Sequence, residues 1–168
     1  MKARPIALIT TLALCWLGAT SAVPSGASES PSASTASTSP SPAEQEIRAA
    51  AAAIVTAFGR SDRAVYFALF APDATFIFHT SPRRLNSRAE YEAEWSRWER
   101  EDHFKVLSCT SSDQRVQLLG DTAIFTHSVR TDLSTKQGRS TLLERETIVF
   151  NRRGGHWLGV HEHLSPEP

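Results

Sequence analysis

The chain has 168 residues, 40% of them hydrophobic, with 18 Lys+Arg set against 18 Asp+Glu and two cysteines. That bounds it to one modest globular domain plus some non-globular sequence. The balanced charge offers no basic face for a phosphate backbone, so no nucleic-acid partner is expected, and two cysteines build neither a disulfide framework nor a cysteine zinc site.

Residues 1–22 divide into a basic start (Lys2, Arg4), an apolar run from Ile6 to Leu17 and a small-residue stretch ending at Ala22. This is the layout of a secretory signal, with cleavage expected after Ala22. The run falls short of the roughly 20 apolar residues of a bilayer span, so no membrane span is expected. A lipoprotein signal is the rival reading: Leu12-Ala13-Leu14-Cys15 approaches a lipobox, but Leu14 is bulky where that motif takes a small residue. Removal of the signal leaves 16 basic against 18 acidic residues and Cys109 alone. The expected destination is the periplasm or the medium, and Cys109 is expected to be a buried strand residue with no disulfide partner.

Residues 23–42 hold eight Ser, four Pro, three Ala and two Thr, with one charge, Glu29. Such a segment buries too little apolar surface to offset its ordering entropy and reads as a linker. The folded domain is expected over residues 43–168, enough chain for a self-sufficient core.

Helices come first. Ser41-Pro42-Ala43-Glu44 reads as N-cap, proline at the first helical position and capping-box glutamate, with Gly59 as the stop and Ile47, Ile54 and Phe58 as one apolar stripe. Asp62 caps a shorter helix through Phe70, stopped by Pro72. Ala74 to His79 reads as a strand with Phe76 and Phe78 on one face. Ser87 and Glu90 open a third helix to about Asp102, with Tyr91, Trp95 and Trp98 at helical spacing, either lining a pocket or packed in the core.

Strands follow at 104–112, 114–119, 122 to about 132, 139–151 and 156–164, separated by turns at Gly120-Asp121, Lys136-Gln137-Gly138 and Arg153-Gly154-Gly155. Short loops between long strands mean antiparallel hairpins. The predicted class is α+β: a cone-shaped, curved antiparallel sheet packed on N-terminal helices, leaving a hollow for a ligand.

The C-terminal half carries a family likeness. Gly120-Asp121-Thr122-Ala123, Val129-Arg130-Thr131, Gly138-Arg139, Arg145-Glu146-Thr147 and, most specifically, Trp157-x-x-Val160-His161-x-His163-x-Ser165 resemble the SnoaL-like branch of the nuclear transport factor 2-like superfamily. The likeness is greatest to the association domain of calcium/calmodulin-dependent protein kinase II and its stand-alone bacterial relatives. It is strong over residues 120–165, while the helical half agrees in order and length, including Trp95-Ser96-Arg97. It implies a cone-like α+β barrel, a homodimer or higher oligomer formed through the sheet, and a central pocket that binds or transforms a small molecule. Fold alone does not choose between those roles. Kinase-linked members line the pocket with arginines; here Arg130 matches, but Ile148 and Leu164 stand at two other basic positions, leaving one guanidinium fork and not a cage.

Alternation along a strand puts Ser128 and Arg130 on one side, Glu144, Glu146 and Ile148 together, and Val160, Glu162 and Leu164 together. On the family register Arg130 marks the hollow, and Glu146 and Glu162 point the same way. The expected ligand-binding set is therefore Arg130, Trp95, Tyr91 and Ser128. Glu146 and Glu162 are the catalytic candidates, because desolvation in an apolar hollow raises a carboxyl pKa toward that of a general base. The plainer alternative pairs Glu146 with Arg130 as a structural ion pair and leaves Glu162 to solvent.

His161 and His163 share a face with each other and with Trp157, opposite Glu162; two imidazoles alone lack the further ligands a metal needs, so no metal is expected. No phosphate loop, nucleophile elbow or dinucleotide fingerprint occurs, and no cofactor is expected. Three roles remain: binding a small, largely apolar molecule; a cofactor-free isomerase, dehydratase or cyclase with Glu146 or Glu162 as base; or an oligomerisation module with a vestigial hollow.

Overall fold

The structure, a computed structural model, describes residues 39–167. The expected signal at 1–22, and the expected linker up to residue 38, lie outside the described residues. Helix α1 spans Pro42–Gly59, with the Ser41 hydroxyl accepting from the Glu44 backbone N–H at 3.2 Å. The Glu44 carboxylate turns to Arg48 one turn on, so the cap has only its first half. Ile47, Ala51, Ile54 and Ala57 form the buried stripe.

Helix α2 is shorter than expected, Arg63–Ala68 with Asp62 as N-cap. Phe70 does not extend it; strand β1 runs Phe70–Phe78 and carries Pro72 within it. Because β1 is the edge strand and its pairing is irregular between Phe70 and Thr75, the missing proline N–H breaks no ladder bond. Helix α3, Arg88–Asp102, starts on the Ser87 cap and ends at His103 in the left-handed conformation.

Strands β2 (Lys105–Leu119), β3 (Thr122–Thr135), β4 (Gly138–Arg153) and β5 (His156–Pro166) follow in hairpin succession. The two strands expected before Gly120 are one, interrupted by a register shift between Ser112 and Arg115 where Asp113 takes a positive φ of 47°. The five strands lie in the order β1-β5-β4-β3-β2, antiparallel except for β1, which runs parallel to β5. This is the curved, unclosed α+β sheet with helices on its inner face that the element order predicts.

The core is aromatic. Trp95 sits among Phe58, Tyr66 and Phe67 at ring-centroid distances of 5.6, 5.6 and 5.7 Å. Burying rings of this size is the main favourable term in the fold, at roughly 25 cal/mol per Å² of apolar surface. Gly159 of β5 is fixed by this packing: a Cβ there would stand 2.6 Å from the Phe70 ring.

Candidate functional site

Strand β3 decides the site's lining by plain alternation. Ala123, Phe125, His127, Val129, Thr131 and Leu133 are buried, whereas the intervening Thr126, Ser128, Arg130 and Asp132 are polar and not buried. Strand β4 turns Glu144, Glu146 and Ile148 inward. In β5 the pairing jumps from Val149↔His161 to Phe150↔Gly159, leaving Val160 as an extra residue that resets the alternation. Trp157 and Gly159 on one side of this bulge, and Glu162 and Leu164 on the other, therefore all face inward. Trp157 leaves the side of His161 and His163 and donates its indole N–H to Glu46 of α1 at 3.0 Å.

Between helices and sheet lies a cavity of about 100 Å³, walled by apolar side chains of all three helices and by Glu144, Glu146 and Glu162. It adjoins an outer hollow of about 380 Å³ through the shared residues Thr80, Trp98, Phe104, Leu133 and Leu142. Together they approach the roughly 300–1,000 Å³ of ordinary small-molecule sites. The outer hollow is shaped by the β3–β4 turn, which Lys136 pins to the end of α3 through Asp102 at 3.2 Å and the Glu101 carbonyl at 3.1 Å.

Three acids on one inner wall are costly, since each ionised carboxylate buried there forfeits several kcal/mol of hydration. Each has a partner. Glu144 lies 2.7 Å from Nε2 of His79 at the rim; burial raises its pKa and His79 partly offsets the rise. Glu146 Oε2 lies 2.7 Å from Nε2 of His127, whose side chain is wholly buried. That contact is off the axis along which a ring N–H donates, so it is a close approach and not a linear hydrogen bond. The other ring nitrogen, Nδ1, is 2.7 Å from the Ser111 hydroxyl, which fixes the imidazole plane.

Glu162 is the deepest of the three, 3% exposed, with the Tyr66 hydroxyl donating to it at 3.2 Å. Burial first, and the neighbouring Glu146 second, hold its carboxyl well above the usual carboxylate range. The Tyr66 and Tyr91 hydroxyls are 3.4 Å apart, and burial pushes both phenols up as well. The chamber thus holds Glu162, a carboxyl whose burial favours its protonated form, beside Glu146, which His127 faces.

The family profile for SnoaL-like domains matches residues 47–167, well over half of the chain. The chain belongs to the SnoaL-like family. Solved structures agree in fold. A Xanthomonas campestris protein described as a calcium/calmodulin-dependent protein kinase II association domain is similar at 25% identity and a TM-score of 0.55, over 73% of this chain and 83% of that one. A nuclear transport factor 2-like protein of unknown function from Pseudomonas putida KT2440 is similar at 22% identity and 0.61, over 73% and 85%. A ketosteroid isomerase-like protein of Erwinia carotovora atroseptica is similar at 20% identity and 0.62, over 74% and 96%. No curated protein matches the chain.

Within this SnoaL-like domain the expected residues part company. Glu146, Glu162 and Tyr91 line the chamber. Arg130 does not: its side chain is 55% exposed on the outer face of β3, where it meets Asp132 at 3.1 Å. The pairing of Glu146 with Arg130 goes with it, since the partner is His127. Ser128 lies on the same outer face as Arg130 and donates to Glu167 at 3.1 Å. Trp95 is core, 2% exposed, with its N–H held by Glu99 at 2.8 Å.

His161 meets the Thr75 hydroxyl at 2.8 Å, away from the chamber, and burial together with neighbouring His163 lowers its pKa. Among the described residues no three His, Cys, Asp or Glu side chains are grouped to hold a metal ion, and no helix is long and apolar enough to cross a membrane. Four further residues complete the wall and its partners: Glu144, which the alternation groups with Glu146, and Tyr66, His79 and His127, which the expected ligand and catalytic sets do not contain. His127 carried a signal: it is the one ionisable residue in the otherwise uncharged alternate set from Ala123 to Leu133.

Proposed function

We propose that this SnoaL-like domain binds a small, largely apolar molecule in the chamber between its helices and sheet. The observation that supports the reading best is the placement of Glu162, Glu146 and Tyr91 on the wall of an otherwise apolar cavity that adjoins an outer hollow. A fold has no need of three buried carboxyls for stability, and such groups gather where they serve binding or chemistry. The test is a thermal-shift screen of compact neutral and charged compounds on the wild type and on Leu142→Trp, which places an indole where the two hollows meet. Compounds that stabilise the wild type and not the blocked variant support the reading; equal shifts for both overturn it.

A second reading, cofactor-free proton transfer, is favoured by the placement of the buried Glu162 carboxyl, whose pKa burial raises, beside Glu146. Glu146, faced by His127, takes a proton from carbon α to a carbonyl, while the Glu162 O–H donates to the carbonyl oxygen. Solvent deuterium entering the α-carbon of a bound ketone, and lost in Glu146→Gln, checks it. Absence of exchange with every ketone the screen retains excludes it.

Export and self-association belong to the same proposal. Residues 1–22 direct the chain out of the cytoplasm, and two copies pair through the outer face of the sheet, where Leu143 is 51% exposed. A mature N-terminus at Val23 and a dimer by light scattering support these; an intact Met1 in the secreted fraction, or a lipid-modified Cys15, and a monomer at high concentration contradict them.

A further inference from the structure

The chamber's wall specifies more than size. Six of its residues are aromatic: Phe58, Tyr66, Phe78, Tyr91, Trp98 and Phe104. Its ionisable side chains are the three glutamates, the two tyrosines and Cys109, with neither Lys nor Arg among the lining residues. The nearest basic groups, His79 and His127, are each held against a glutamate at 2.7 Å.

An anion entering here meets carboxylates and ring faces with no guanidinium or ammonium to receive it. Attraction between opposite charges strengthens as water is excluded, so the same wall favours a positive charge, and aromatic faces add their quadrupole to that attraction. Resting on the reading of the chamber as a ligand site, we propose that its ligand is a compact organic cation, an alkylammonium whose apolar substituents fill the aromatic end while its charge faces Glu146 and Glu162. The aromatic wall is what separates this from a mere acidic cluster: a hydrated inorganic ion would lose its water against those rings, whereas an alkylated nitrogen carries little water to lose.

The arrangement of the acids fits. Glu162 and Glu146 share one wall of the chamber, and a proton on Glu162 relieves the repulsion between them. An alkylammonium supplies the same relief from its own charge, and the Glu162 proton then leaves to solvent. The outer hollow, bordered by Trp98 and Phe104, continues the aromatic character, and its two charged residues, Asp102 and Lys136, pair with each other at 3.2 Å.

The experiment uses three probes of matched shape on the full chain: tetramethylammonium, tert-butanol and trimethylacetate, followed by NMR of the Glu side-chain carboxyl carbons and by calorimetry. The expected order is the cation first, by about tenfold or more over the neutral isostere, with the anion weakest. Glu162→Gln, which keeps the shape and the hydrogen bond from Tyr66, should reduce the cation's advantage several-fold while leaving tert-butanol unchanged. If tert-butanol or trimethylacetate perturbs the Glu162 resonance at concentrations where tetramethylammonium does not, the chamber is a ligand site but the charge assignment is overturned. If none of the three perturbs it and the wider screen is equally silent, the ligand-site reading itself falls.

Discussion

The hydroxyl of Tyr66, in the second helix, stands 3.2 Å from Glu162 Oε2 on the last strand. Helix α2 is thereby tied to β5 through a carboxyl whose pKa burial raises. The unfolded chain releases this proton near the ordinary value of 4.5, whereas the folded chain holds it. The folded state therefore binds more protons across the interval, and stability falls as pH rises. Glu162's contribution is fully present below about pH 4.5 and is lost progressively toward its raised pKa; Glu144, also raised, adds a term of the same sign. Urea unfolding of the wild type should thus show stability decreasing as pH rises above about 4.5, and Glu162→Gln a flatter profile. A wild-type profile that rises over that interval would contradict the assignment.

The outward placement of Arg130 separates two readings of one residue. Arg130→Ala should leave ligand binding and the unfolding midpoint unchanged within error, because its ion pair with Asp132 is solvent-exposed. Glu146→Gln should alter binding of any ligand that reaches the chamber. Calorimetric titration of both variants with one screened compound checks the pair of outcomes, and a large loss in Arg130→Ala would restore the guanidinium to the site.

Burial pushes the Cys109 thiol up to about 11, with the three glutamates adding to the rise. At pH 8 its thiolate is then scarcer than that of a free cysteine by about 100-fold, and attack on an aromatic disulfide reagent should slow to match. Cys109 lines the chamber, so a ligand there should slow the reaction further. A rate equal to that of free cysteine would place the thiol in solvent.

Two core positions test the packing beneath the site. Trp95→Ala removes the ring around which Phe58, Tyr66 and Phe67 are arranged and should cost about 3–5 kcal/mol. Gly159→Ala drives a methyl into the Phe70 ring and should cost about 1–3 kcal/mol. Denaturant unfolding measures both; a neutral Gly159→Ala would mean that β5 and β1 separate more readily than their packing shows.

Much of this architecture was legible in the residues. Ser41-Pro42 and Ser87 mark the helix starts, and Gly120, Gly138 and Gly154 mark turns whose φ values are positive. Glu146 and Glu162 could be placed on one face because β4 alternates without interruption and Glu162 lies beyond the β5 bulge. The face of Trp157 was not legible: Val160 is an ordinary strand residue, and only its pairing shows it to be extra. Helix α2 was overextended because Leu69 and Phe70 suit a helix as well as a strand, and tertiary pairing with β5 decided for the strand. Arg130 is different. Its neighbours Thr126, Ser128 and Asp132 describe a solvent face, and this local pattern, not the family register, matches where Arg130 lies.

Glu162, its pKa raised by burial, and its neighbour Glu146 face a chamber proposed to admit a ligand. Carbon-detected NMR of protein labelled at the glutamate carboxyl carbons, titrated in pH with and without a stabilising compound, tests this most directly. The expected result is one glutamate resonance whose titration midpoint lies above 4.5, that disappears in Glu162→Gln and that moves when the compound binds. A Glu162 resonance with its midpoint at or below 4.5 that ignores every compound is the opposite result.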